Sequence, residues 1–124
     1  MLGSPLGHDH CSVSLSDLLT PWAVIQCRIM AAAEGDFVVS LYNPRSKGRD
    51  WQLGKVKEIL LGHRPPDTPV GLVKDAYRPT QQIILTDLAS LRPEDVDMLT
   101  TVIVGSSQTR VVAGRMVTPR GYLS

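Results

Sequence analysis

The chain has 124 residues, 43% of them hydrophobic and 20% charged, and its 13 Lys and Arg against 12 Asp and Glu leave a net charge of +1. That length suits one domain able to bury about two-thirds of its unfolded surface without staples. Near-neutral charge excludes the strongly basic balance of a non-specific nucleic-acid binder, and no apolar run approaches the roughly 20 residues of a membrane helix. The opening MLGSPLGHDH lacks the basic and apolar regions of a signal peptide, so a cytoplasmic protein is expected. Cys11 and Cys27 have no metal-ligand spacing and are expected to be buried, reduced thiols.

In CSVSLS, residues 11 to 16, Cys11, Val13 and Leu15 alternate with serines, which predicts a half-buried strand. TPWAVIQCRIMAAAEGD predicts a helix with Thr20 as its cap and Pro21 at its first position. Trp22, Ile25, Ile29, Ala32 and Ala33 share its apolar face, and Gly35 is expected to close it. FVVSLY, residues 37 to 42, is almost continuously apolar, as a strand covered on both faces is, and the helix before it predicts parallel pairing with the first strand. After the polar turn NPRSKGR, Asp50 is the expected cap of a helix carrying Leu53, Val56 and Leu60 as far as Gly62, and Arg64-Pro65-Pro66 forbids its continuation.

PVGLV (69 to 73) and QQIILTD (81 to 87) read as strands whose pairing direction the residues leave open. Pro93 opens a short helix with Glu94 and Asp95 in its first turn, where the helix dipole favours negative charge. TTVIVG is the fifth strand, and RVVAGRMVTPRGYLS offers one more. The order β-α-β-α-β-β-α-β predicts an α/β fold, a three-layer domain around a mixed, mostly parallel central sheet. Ligands of such sheets lie beyond the carboxyl ends of the strands. Asn43 to Lys47, Lys74 to Ala76 and Gly105 to Gln108 are therefore expected to meet along one edge, glycine and alanine admitting a ligand close to the backbone.

No nucleophile elbow, GxGxxG or P-loop occurs, which disfavours self-contained hydrolytic or nucleotide chemistry. No metal site is expected: His8 and His10 around Asp9 read as solvated residues, and His63 as a helix-end cation. Arg45, Lys47 and Arg49 on one loop make a plausible carboxylate clamp, or equally a solvated turn. Ser106, Ser107 and Thr109 could be turn formers, and Asp17 and Asp75 either bases or loop-ordering groups. Trp22 and Trp51 read as packing anchors.

PLGHDHCSVSLSDLLTPW, SLYNPRSKGRDWQL, HRPPDTPVGLV, VDMLTTVIVGSSQTR and MVTPRGY together resemble the carboxyl-terminal half of the precorrin-3B C17-methyltransferases, a branch of the tetrapyrrole methylases of cobalamin biosynthesis. The resemblance implies an S-adenosylmethionine (SAM)-dependent enzyme of two α/β domains, a homodimer, that methylates C17 of precorrin-3B, or of its cobalt-containing counterpart, and contracts the ring to give precorrin-4. Residues 1–10 would then be a remnant of the interdomain linker and residues 11–124 the carboxyl-terminal domain, with the amino-terminal domain absent and activity alone not expected. Carried onto this chain, the cofactor contacts fall on Tyr42, Asn43, Asp75, Ala76, Val104, Gly105 and Ser106. Arg45 and Lys47, with Arg110 behind them, are the expected partners of the substrate's carboxylates, and Asp17 the expected base for ring contraction. The competing reading is a non-catalytic module that binds a tetrapyrrole or dimerises.

Overall fold

A computed structural model of the chain describes residues 3–4, 10–16, 18, 20–44, 51–74, 79, 81–97 and 99–117. Strand β1 (Gly3–Ser4) precedes β2 (His10–Ser14), helix α1 (Trp22–Glu34), β3 (Val38–Tyr42) and helix α2 (Gln52–Leu61). The hairpin β4 (Pro69–Lys74) and β5 (Gln82–Asp87), one 3-10 turn at Pro93–Asp95, β6 (Thr100–Val104), β7 (Arg110–Val112) and β8 (Arg115–Val117) complete the order.

The five main strands form one sheet in the order β2-β3-β6-β4-β5. β2 and β3 pair in parallel, as the intervening helix predicts, with Cys11 beside Val39 and Ser14 beside Tyr42. β6 inserts between β3 and β4 and runs antiparallel to both, and β5 is antiparallel to β4. The sheet is therefore mixed, as expected, but not mostly parallel: β2, β3 and β4 point one way, β5 and β6 the other, and β2–β3 is its one parallel pairing.

Side-chain alternation sorts the core into two faces. Val13, Val39, Leu41, Val70, Leu72, Val102 and Val104 face α1 and α2, which contribute Ile25, Ile29, Leu53, Val56 and Leu60. Each such burial contributes about 1.5–3 kcal/mol relative to exposure. On the reverse face Val38 and Ile103 pack with Met116 of β8, within a small second sheet of order β1-β8-β7. The third layer is thus a β-ribbon.

The helix starts differ from expectation, while Gly35 and Gly62 close the two helices as expected. Pro21 is the residue flanking α1, in extended conformation at φ −59° and ψ 144°, and no side chain caps the helix, so Thr20 does not serve as cap. Gly35 keeps a right-handed conformation, and the left-handed position falls to Asp36 at φ 57°. An Asp tolerates that region because its short polar side chain bonds locally; here the Asp36 carboxylate accepts from the amide and hydroxyl of Ser107. Asp50, the expected cap of α2, lies outside the described residues, and Trp51 flanks the helix. Cys11 is half-buried but Cys27 is exposed on α1, and both are free thiols.

Candidate functional site

At the carboxyl ends of β2 and β3 the chain makes a small polar corner. The Leu15 amide donates to the Tyr42 carbonyl at 3.0 Å, extending the pairing one residue past β2. Asn43 follows with φ 50°, and its Nδ2 donates to Ser14 Oγ at 3.1 Å. Ser14 Oγ also accepts from the Ser16 amide at 3.3 Å. The Asn43 carboxamide is thus tethered through its nitrogen, which leaves its oxygen available as an acceptor. A non-glycine residue in the left-handed region is uncommon, and such residues cluster at functional sites.

Both helices begin beside this corner. The rings of Trp22 and Trp51, one at each helix start, meet edge to face with centroids 4.8 Å apart and planes at 74°. Such a pair contributes roughly 0.5–1.5 kcal/mol beyond its burial. It fulfils the expected packing role, although Trp51 stays 44% exposed. Gln52, first residue of α2, is buried, and its Oε1 has no hydrogen-bond partner among the described residues. A buried acceptor left without a donor costs about 1–3 kcal/mol.

The end of β6 is built otherwise. Val104 pairs with Val39 near the start of β3 and with Val70 near the start of β4. The Gly105 amide donates to the Pro69 carbonyl at 2.8 Å. A Cβ on Gly105 would lie 2.6 Å from the Thr109 Cβ, so the glycine makes room for Thr109. The loop's amides are met from within: Ser106 N by Thr109 Oγ1 at 2.9 Å, Ser107 N by Asp36 at 2.8 Å and Gln108 N by Ser106 Oγ at 3.2 Å. Ser106 itself is only 3% exposed. Behind the loop the buried Arg64 guanidinium donates to the carbonyls of Gly105, Ala32 and Phe37 at 2.7, 3.2 and 2.6 Å. Burial lowers the Arg64 pKa, with Asp36 nearby opposing that shift.

The expectation that three strand ends meet on one edge is therefore corrected by the direction of β6. Tyr42 and Asn43 end β3 on the same edge as Lys74, which ends β4, because both strands run antiparallel to β6. Val104, Gly105 and Ser106 lie on the opposite edge. Arg110 lies with them, and its Nη1 donates to the Ser107 and Thr109 carbonyls, both at 2.9 Å. What β6 presents beside Asn43 and Lys74 is its beginning, Thr100, paired with Lys74 and bonded to Asp97 Oδ1 at 2.9 Å. Asp17, Arg45, Lys47, Arg49, Asp75 and Ala76 lie outside the described residues, as do His8 and Asp9. His10 is exposed, and no group of metal ligands occurs among the described residues. None of the described helices is long and apolar enough to cross a membrane. Sequence reasoning gave Ser14 no part in holding Asn43, because a serine on the polar face of a strand carries no signal of its own.

A mixed five-stranded sheet in this order, with two helices on one face and a polar corner at the ends of its parallel strands, defines an α/β domain with a candidate ligand site at its strand ends. Residues 1–92 match the sequence pattern of the Tetrapyrrole (Corrin/Porphyrin) Methylases, and the chain belongs to that family. It is 52% identical over 122 residues to the cobalt-factor III methyltransferase of Priestia megaterium, covering 98% of this chain and 23% of that protein. Against the probable cobalt-factor III C(17)-methyltransferase of Salmonella typhimurium it is again 52% identical, covering 98% of this chain and 51% of the relative. The precorrin-3B C(17)-methyltransferase of Sinorhizobium sp is 45% identical, half of it covered. The crystal structure of the methyltransferase CobJ superposes with a TM-score of 0.90 at 41% identity, over 95% of this chain and 49% of that one. The chain thus spans about half, or less, of the length of these relatives.

Proposed function

We propose that this chain forms the carboxyl-terminal half of a SAM-dependent methyltransferase that methylates C17 of a precorrin-3B-type macrocycle, with ring contraction, in cobalamin biosynthesis. The observation that carries this reading is the 52% identity to two cobalt-factor III methyltransferases across 98% of the chain. Identity to the precorrin-3B enzyme is 45%, so the cobalt-containing macrocycle is the favoured substrate. Activity requires the remainder of the relatives' length, supplied by an amino-terminal domain, and the working unit is a cytoplasmic homodimer.

SAM fits the corner at Asn43, where an exposed Tyr42 and a tethered carboxamide with a free oxygen offer an acceptor beside a partly apolar surface. Tyr42 and Asn43 would hold the cofactor together with Asp75 and Ala76 of the turn after β4. SAM supplies an already activated sulfonium methyl when bound. The chain's own residues are left to orient the macrocycle and exclude water, and such positioning is worth roughly 7–11 kcal/mol in favourable cases. Arg45 and Lys47 hold substrate carboxylates, and Asp17 takes the proton from the macrocycle hydroxyl during contraction. Val104, Gly105 and Ser106 enter as the support of the opposite edge, since their polar groups are already spent.

Calorimetric titration of S-adenosylhomocysteine into the chain, alone and mixed with the amino-terminal half of the Salmonella relative, tests the reading. Binding in the mixture is expected, and a mixture that takes up none overturns it.

A further inference from the structure

One cleft of about 300 Å³ opens on the helix-bearing face of the sheet where α2 no longer covers it. Its floor is the cross-strand pair Leu72 and Ile84; Leu72 is buried, whereas Ile84 remains 41% exposed. The far wall is the turn carrying Leu91 and Arg92. Lys57 of α2 pins that turn by donating to the Ala89 and Leu91 carbonyls at 3.0 and 2.7 Å, so the wall is built. Two cations stand on the rim. Lys74 is half-buried, and its ammonium has no partner among the described residues. Arg92 spends only Nε, on Glu94 Oε1 at 2.9 Å, with Asp95 Oδ2 at 3.8 Å. Its two terminal nitrogens are not engaged by any described residue.

An apolar floor beneath unspent cations selects a ligand with a short hydrocarbon stem and an anionic tip. The volume lies at the lower limit of the roughly 300–1,000 Å³ typical of small-ligand pockets, enough for one arm and too little for a macrocycle. Asp95 on the same rim disfavours a doubly charged tip such as phosphate. Lys74 ends β4 on the edge that also carries Asn43, so a molecule lying along that edge reaches the cleft from above.

We infer that this cleft is a subsite for one acetate or propionate arm of the tetrapyrrole, its methylenes over Leu72 and Ile84 and its carboxylate between Lys74 and Arg92. The inference rests on the tetrapyrrole reading of the chain and adds residues to it. Uroporphyrin I, a stable tetrapyrrole with eight carboxylate arms, is the probe, and its binding to the full chain is read by quenching of tryptophan emission. Lys74→Gln and Arg92→Gln are each expected to weaken binding about tenfold, the scale of one charge-assisted hydrogen bond. Lys55→Gln, which removes an exposed charge beside Glu58, is expected to leave affinity unchanged. Far-ultraviolet circular dichroism of the variants should match the parent, since neither cation holds an element together. Equal weakening by Lys55→Gln, indifference to the two cleft substitutions, or no porphyrin uptake by the parent chain each overturns the subsite. S-adenosylhomocysteine binding tests the methylase reading separately: where it persists and the cleft substitutions do nothing, the subsite alone falls.

Discussion

Asn43 stands at φ 50°, where a side chain costs roughly 1–2 kcal/mol unless it is glycine or a residue that bonds locally. Its bond to Ser14 offsets that cost, so backbone and ligand roles can be separated by substitution. Asn43→Gly is expected to unfold in urea within about 1 kcal/mol of the parent, while Asn43→Val loses about 1–2 kcal/mol. Both should bind S-adenosylhomocysteine at least tenfold more weakly in the two-domain assembly; undiminished affinity in Asn43→Gly removes the carboxamide from the cofactor site. Asp17 calls for a different readout, because the proton it is proposed to take belongs to the second step. Asp17→Asn should yield methylated, uncontracted macrocycle by mass spectrometry and absorbance, and normal ring-contracted product would exclude Asp17 as the base.

At the level of elements, one buried cation ties together the chain ends at α1, β3 and β6. Arg64 reaches the carbonyls of Ala32 and Phe37 at the end of α1 and the entry to β3, and that of Gly105 past β6. Its guanidinium stays charged at any working pH, so its contribution carries no pH dependence in the physiological range. Arg64→Met strands three carbonyls at one junction and is expected to cost on the order of 3 kcal/mol in chemical denaturation, with Arg64→Lys recovering little because an ammonium cannot span the fork. A loss below about 1 kcal/mol in both would show that water serves the carbonyls equally well. None of this was legible in Arg64-Pro65-Pro66, which announces a helix stop and nothing more. The strands were legible, since the alternation in CSVSLS and the apolar runs FVVSLY and TTVIVG are local properties. The direction of β6 was not, because a buried strand reads the same whichever way it pairs, and that ambiguity placed Gly105 and Asn43 on one edge. The turn after α1 was legible in part: Gly35 closes the helix as expected, but nothing local shows that the left-handed position falls to Asp36, whose carboxylate is satisfied by Ser107, 71 residues on.

Across the whole molecule, the edge that carries Asn43 also carries uncovered apolar side chains. Leu18 just beyond β2 is 71% exposed and Leu99 just before β6 is 52% exposed, with Tyr42 and Trp51 also exposed near the same ends. Apolar groups gathered on one side of a domain mark a surface that another body covers. The part of the relatives' length that this chain does not span is the body proposed here. Mixing that half of the Salmonella relative with the chain should therefore shift tryptophan emission to the blue as Trp51 loses water, and Trp51→Phe should remove most of the shift. Sedimentation should show the chain alone self-associating through this face, and the added half replacing the copy or joining a dimer held elsewhere. Cofactor uptake by the mixture without any change in emission would mean that the halves meet away from Trp51, leaving the Trp22–Trp51 pair as internal packing between the two helices.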